Sequence, residues 1–346
     1  MNPLNYLAVG LFCAAFFVPA AVRAGEVTNV TATQRAGTKL VDITYDLSST
    51  TNSTVTLKVA NGGEASAAEA VSEVTGDVGT AVATGSGKTI TWDGGAEANG
   101  QYGSRTFVVI AEPEPTPLPA ESFALITDEY RMGTHEVTWK LWQEVRSWAA
   151  SNGYDIGSRG SGKGDEHPVH SVNWYDVVKW CNAASERAGL EPVYYLSEGG
   201  AVYRSGQSEP TIDYSKQGYR LPSEEEWEYA ARGGLEGKLY PWGDLITHDY
   251  ANYYYDQAVN RYHEDYDEGG YPYTSPVGSF AANDYGLYDM AGNVFEWCND
   301  SDGGRRVLRG GSWLTYGYYD CRVAFRYNYS PDYRNDFNGF RLALSE

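Results

Sequence analysis

The sequence predicts an all-β sandwich followed by an α+β domain rich in loops, and three observations carry that expectation. From about residue 25 to 111 the chain is rich in Thr, Val, Ser and Gly, and alternates apolar with polar residues over 39–45 (Lys-Leu-Val-Asp-Ile-Thr-Tyr) and 54–59 (Thr-Val-Thr-Leu-Lys-Val). Period-two alternation between turn clusters is the mark of short antiparallel strands packed as a sandwich of the immunoglobulin-like kind. Residues 112–119 (Glu-Pro-Glu-Pro-Thr-Pro-Leu-Pro) then form a proline-spaced, extended segment, so 112–120 is expected to be a linker. Beyond it, over 121–346, a few capped helices stand among long loops loaded with Gly, Asn, Asp and aromatic residues.

Within the first domain, 89–92 and 106–110 supply the last expected strands, and the stretch holds neither His nor Cys, so it reads as a structural spacer. In the second, Thr138 is placed to cap a helix reaching about Ala150, with Leu141, Val145 and Trp148 on one side. Asn173 with Asp176 three residues on, and Ser223 with Glu226, are capping boxes for two further helices, the last stopped by Gly233. After Gly234 helical periodicity gives way to loops and short strands.

A chain of 346 residues suits two ordinary domains, and its 29 Tyr and 10 Trp favour recognition by contact. The net charge of −20 repels phosphate backbones and excludes nucleic acid as a natural partner. Residues 6–21 are apolar and are followed by Val22-Arg23-Ala24, a small-x-small cleavage pattern, so 1–24 reads as a secretory signal peptide, with an N-terminal membrane anchor as the alternative. The mature protein is then exported to the periplasm, cell surface or exterior, with no membrane insertion. Export leaves Cys181, Cys298 and Cys321, enough for one disulfide and one spare thiol. The pairing is open from sequence, with Cys298–Cys321 favoured and Cys181 placed on a buried helix.

The second part carries ordered motifs: Glu136-Val137-Thr138, His167-Pro168-Val169, residues 172–176 (Val-Asn-Trp-Tyr-Asp) and 220–234 (Arg-Leu-Pro-Ser-Glu-Glu-Glu-Trp-Glu-Tyr-Ala-Ala-Arg-Gly-Gly). Further on come 240–243 (Tyr-Pro-Trp-Gly), 286–297 (Gly-Leu-Tyr-Asp-Met-Ala-Gly-Asn-Val-Phe-Glu-Trp), 309–313 (Arg-Gly-Gly-Ser-Trp) and Gly339-Phe340-Arg341. Together these resemble the sulfatase-modifying-factor, or formylglycine-generating-enzyme-like, family across about 121–346. The resemblance implies a C-type-lectin-like fold rich in loops.

Fold and activity separate at the site. The resemblance implies that an active oxidase would hold copper(I) with two thiolates just after the Gly-Gly-Ser motif. Those positions fall on Thr315 and Asp320, so copper is not expected. Cys321, one place away, is the nearest thiol. The resemblance also implies structural calcium, held by Asp289, Gly292, Val294 and Glu296 at one site. A second maps onto Asn252 and Tyr253 with a carboxylate from Asp267 or Glu268. The alternative is that Asp289 and Glu296 cap turns and pair with arginines such as Arg309 or Arg341. Of the five histidines only His167 and His170 lie close together, and a structural turn is preferred there to a zinc site.

Between fixed-looking anchors, 314–338 contains islands whose residues can all be reached from an Asn codon by changing only its adenines, a set that excludes Lys, Glu, Gln, Met and Trp. The segment resembles the variable region of retroelement-diversified lectin-fold proteins; a Tyr-rich loop without that history is the alternative. Tyr316, Tyr318, Tyr319, Asp320, Phe325, Tyr327, Asn328, Tyr329, Tyr333, Asn335 and Asp336 are the expected contact residues, and Tyr and Asn are what adaptable binding faces use. Trp313, Val323, Ala324 and Phe340 are expected to be buried beneath them, with Arg322, Arg326 and Arg341 pinning the loops. The leading expectation is a lectin-like binding protein for a protein or glycan ligand. The alternatives are a formylglycine-generating oxidase acting on a sulfatase cysteine and a purely structural surface-layer component.

Overall fold

The computed structural model describes residues 26–35, 38–49, 52–61, 69–71, 73–93, 105–113, 115, 117–254 and 261–346. The expected signal peptide, 1–24, lies outside the described residues. The chain divides into two compact units, with the seam between residues 116 and 117.

The first unit is all β. Strands β1 (Glu26–Gln34), β2 (Leu40–Ser48), β3 (Ser53–Asn61), β4 (Glu69–Ala70), β5 (Val74–Gly76), β6 (Gly79–Val82), β7 (Gly85–Asp93) and β8 (Arg105–Pro113) form two antiparallel sheets. One has the order β1-β2-β7-β5; in the other β3 pairs β4, β6 and, along its whole length, β8. The alternation seen in 39–45 places Val41, Ile43, Tyr45 and Leu47 inward, where they share a core with Ile90 and Trp92 of their own sheet and with Val55, Leu57 and Phe107 of the other. Strand β8 continues through Pro113, so pairing persists into the expected linker.

The second unit has three principal helices. Helix α1 (Trp139–Ser151) is capped by Thr138, whose hydroxyl accepts from the Leu141 amide at 3.2 Å. Its inward face is Trp142, Val145 and Ala149, one position round from the expected Leu141 and Trp148, which are only partly covered. Both capping boxes form: Asn173 and Asp176 open α2 (Trp174–Arg187), and Ser223 and Glu226 open α3 (Glu224–Arg232), which ends at Gly233 in the left-handed conformation. Such caps satisfy amides that the first turn leaves without helical partners.

Strands β9 (Phe123–Thr127), β10 (Tyr130–Gly133), β13 (Tyr219–Arg220) and β18 (Ala343–Ser345) make one sheet in the order β13-β18-β10-β9, and β11 (Tyr194–Tyr195) pairs β12 (Thr211–Ile212). A second four-stranded sheet, β16-β15-β14-β17, joins β14 (Phe295–Asp302), β15 (Arg305–Arg309), β16 (Tyr327–Tyr329) and β17 (Asn338–Gly339), with β17 parallel to β14. Between them lies a Trp-rich core in which Trp142 and Trp180 stack at 5.7 Å and both meet the edge of Phe340. A four-residue helix, α4 (Gly317–Asp320), sits in the long return from β15 to β16. This mostly β, loop-rich arrangement with few helices matches the expected lectin-like class.

Candidate functional site

Residues 314–338 leave the second sheet at the end of β15 and return through β16 to β17. Tyr316, Tyr318, Tyr319, Tyr327 and Tyr333 are between 39% and 53% exposed, whereas Trp313, Val323 and Phe340 are buried. The rings form two runs that meet at α4. Tyr316 contacts Tyr318 on one side (6.2 Å); on the other, Tyr319, Phe325, Tyr327, Tyr329 and Tyr333 follow one another at 4.4–6.4 Å. Burial and the neighbouring Tyr327 hydroxyl push the Tyr329 phenol up to about 12, so its ring stays neutral at physiological pH.

The segment is not uniformly outward. Phe325, Tyr329 and Phe337 are half-buried against the main core. Gly317 lies under the Tyr253 ring, where a Cβ would come within 2.3 Å of Cδ2, and Asn338 is fully buried because β17 pairs with β14. Ala324, expected inside, is exposed. Asp320, the last residue of α4, accepts from the Tyr316 amide at 3.1 Å. Asn328 is tied to Asp302, Asn335 accepts from the Phe337 amide, and the Asp336 carbonyl receives the Trp313 indole N–H. These four residues shape the loops as much as they present polar groups. Arg322 donates to the Tyr318 carbonyl and lies over the Tyr319 ring, while Arg326 bridges Glu224 and Asp302.

The first expected calcium set divides. Both Glu296 oxygens are taken: Arg341 Nε and Nη2 donate to them at 2.7 Å each, and Trp227 Nε1 donates at 2.6 Å. Glu296 is thus the partner of Arg341 in this structure, the alternative expected for it. Asp289 accepts from the Gly278 amide through Oδ2, while its Oδ1 and both oxygens of Glu136 are buried with no hydrogen-bond partner. Burial pushes Glu136 well above the usual carboxylate range, with Asp289 adding to it, and raises Asp289 to about 6. Two buried carboxyls facing each other, Glu136 and Asp289, offer the oxygen chemistry that suits a hard cation. Glu136, rather than Glu296, is the carboxyl that faces Asp289. Among the described residues no group of three or more His, Cys, Asp or Glu side chains is arranged to hold a metal ion, so loop carbonyls would complete the set.

The second expected set is engaged in hydrogen bonds in this structure. The Tyr253 carbonyl accepts from His248 Nε2 at 3.1 Å, and the Asn252 carbonyl accepts from the Asn293 amide at 2.8 Å. The Asn252 side-chain amide donates to the Tyr273 carbonyl at 2.7 Å. Lys163 Nζ reaches the Tyr266 and Glu268 carbonyls at 3.3 and 2.9 Å. Donors from His248, the Asn293 amide and Lys163 hold this loop.

Cys181, Cys298 and Cys321 are all free and buried, so the expected Cys298–Cys321 bridge is not formed. Cys298 packs with Trp227 and Val307, and Cys321 in a different cluster with Tyr253 and Ala291. Burial pushes the Cys298 and Cys321 thiols far above the range in which a thiolate ligand forms. Thr315, at the first of the two implied copper positions, exchanges hydrogen bonds with the Ser312 amide and carbonyl.

The sequence profile of the sulfatase-modifying factor enzyme 1-like domain matches residues 75–346. The chain belongs to the sulfatase-modifying-factor family. It is 32% identical over 207 residues to chaperone protein LppX of Paenibacillus barcinonensis, covering 54% of this chain and 70% of that one. It is 30% identical over 250 residues to the inactive C-alpha-formylglycine-generating enzyme 2 of Bos taurus, covering 68% and 79%. To the formylglycine-generating enzyme of Thermomonospora curvata it is 41% identical over 204 residues, covering 51% and 55%. Among solved structures, CarF superposes with a TM-score of 0.53 at 29% identity, over 63% of this chain and 86% of that one. Treponema denticola variable protein 1 is similar at 34% identity with a TM-score of 0.49, over 63% and 84%. Among the described residues no helix is long and apolar enough to cross a membrane.

Sequence reasoning missed two sets of residues at the site. Glu136 belonged to a quoted motif, but its meeting with Asp289 is a long-range contact without a local signal. Tyr262, Tyr271 and Tyr273, which lie against Trp313, were hidden in a stretch with neither periodicity nor repeat.

Proposed function

We propose that this chain is an exported binding protein in which the 314–338 segment of the family domain takes a protein ligand, while the 25–111 β-sandwich acts as a spacer. The observation that carries the reading is the run of exposed tyrosines on loops whose anchors are buried. Large neutral rings at low entropic cost are the chemistry of a contact face. The relatives called chaperone and inactive enzyme support a non-oxidative role. A calcium ion held by Asp289, Glu136 and the carbonyls of Gly292 and Val294 would neutralise buried charge and pin the loop behind the face.

The test is a binding screen of the purified protein against cell-surface proteins and glycans, repeated with Tyr319, Tyr327 and Tyr333 all changed to Ala. Loss of every specific ligand with an unchanged unfolding midpoint is expected, because exposed rings contribute to binding rather than to the core. Retained binding by the triple variant would place the site elsewhere. The competing oxidase reading draws on the 41% identity to a formylglycine-generating enzyme. It requires formylglycine in a sulfatase-motif peptide treated with copper and this protein, and with Thr315 and Asp320 at the thiolate positions none is expected.

A further inference from the structure

The loop ahead of the variable-type segment carries a second aromatic surface continuous with the first. Tyr262, Tyr271 and Tyr273 contact one another at 4.6–6.0 Å, and all three pack on the buried Trp313 at 5.4–5.9 Å. Tyr254 joins Tyr262 at 4.6 Å and Tyr316 at 5.8 Å, so the rings run without a break from Tyr271 to α4. Tyr271 is 63% exposed, the most open aromatic side chain of this surface.

Its surroundings are acidic. Four of the five residues 264–268 are Glu264, Asp265, Asp267 and Glu268. The cations nearby are engaged: Arg261 pairs with Glu264, and Lys163 donates to two carbonyls. The protein already seats its own cations over these faces, with Lys163 Nζ 5.6 Å from the Tyr273 ring and the Arg322 guanidinium 5.4 Å from Tyr319. Tyrosine faces beside an excess of carboxylates attract ammonium and guanidinium groups through the ring quadrupole and through long-range charge. Glu264 and Glu268 also lie outside the set reachable from an Asn codon by adenine changes, so this half does not share the composition of 314–338.

We propose that Tyr254, Tyr262, Tyr271 and Tyr273 form a fixed half of the binding face, and that it recognises lysine- or arginine-bearing segments of a protein partner. The inference rests on the reading of 314–338 as a contact face. The fixed half supplies general affinity for basic segments, and the tyrosines from 316 onward supply discrimination among them.

The test uses fluorescein-labelled octa-arginine, octa-glutamate and an uncharged β-glucan, titrated with the full chain at physiological salt and read by anisotropy. Octa-arginine should bind and the other two should not. Tyr271→Leu keeps bulk and net charge but removes the ring, and should weaken octa-arginine binding about threefold to tenfold. Tyr271→Phe keeps the ring and should bind as the parent does. Equal binding by the Leu and Phe variants, or β-glucan bound in place of octa-arginine, overturns the proposal. Tyr327→Leu separates the two readings. A loss there with none at Tyr271→Leu refutes the fixed half and leaves the 314–338 face standing, whereas a loss at Tyr271→Leu alone supports the fixed half whatever the ligand screen returns.

Discussion

Arg341 grips both carboxylate oxygens of Glu296 through Nε and Nη2, and neither side chain is more than 1% exposed. Burial works against the guanidinium charge, but Glu296 more than offsets it and holds the Arg341 pKa above its ordinary value. The other guanidinium nitrogen donates to the Gly133 and Thr134 carbonyls, so the pair ties the end of β10 to β14. Removing one partner leaves the other charge buried and uncompensated, a loss of about 3–5 kcal/mol. Glu296→Gln is expected to lower the denaturant midpoint accordingly, with or without calcium. A calcium-dependent loss would return Glu296 to the metal site.

The Glu136–Asp289 pair predicts a calcium response of its own. Chelator should lower the thermal midpoint of the parent, since a ligand at about a hundred times its Kd stabilises by about 2.7 kcal/mol. Glu136→Gln and Asp289→Asn should each abolish that difference in a calorimetric scan. A parent-like response in Glu136→Gln would remove Glu136 from the site.

What was legible in the sequence was what local chemistry determines. Thr138, Asn173 and Ser223 cap the helices they were expected to cap because a cap is satisfied within three residues. The alternation of 39–45 specified the inward face of β2 for the same reason. Contacts between distant segments were not legible. The Arg341 pairing of Glu296 was an alternative beside calcium, and only the meeting of β14 with the Gly339-Phe340-Arg341 turn brings the two side chains together. Cys298 and Cys321 are near in sequence yet belong to separate clusters. Asn338 has the composition of the exposed islands, but strand pairing buries it.

The thiols give a direct count. With Cys181, Cys298 and Cys321 free and buried, the chain lacking 1–24 should react with three equivalents of a thiol reagent after unfolding without reductant. Reaction in the folded state should be slow, because burial suppresses the thiolate. A count of one would mean that a disulfide forms.

His170 predicts the acid limb of stability. Its ring is buried beside His167, with Nδ1 on the Ser171 hydroxyl at 3.0 Å and Nε2 unpartnered. Burial, aided by His167, pulls its pKa down to about 4 from 6.5, so the fold accepts the neutral ring and excludes the imidazolium. Burial lowers His135 and His167 in the same direction. A depressed folded-state pKa gives stability that is complete above the unfolded value and is lost as pH falls from about 6.5 toward 4. For His170 that loss is at most about 3.5 kcal/mol, taking about 1.4 kcal/mol per pKa unit. His170→Asn keeps a polar partner for Ser171 and cannot titrate. Its denaturation midpoint should therefore change less than the parent's between pH 6.5 and 5, a window above the range of ordinary carboxylates, and parallel profiles would show that His170 is protonated equally in both states.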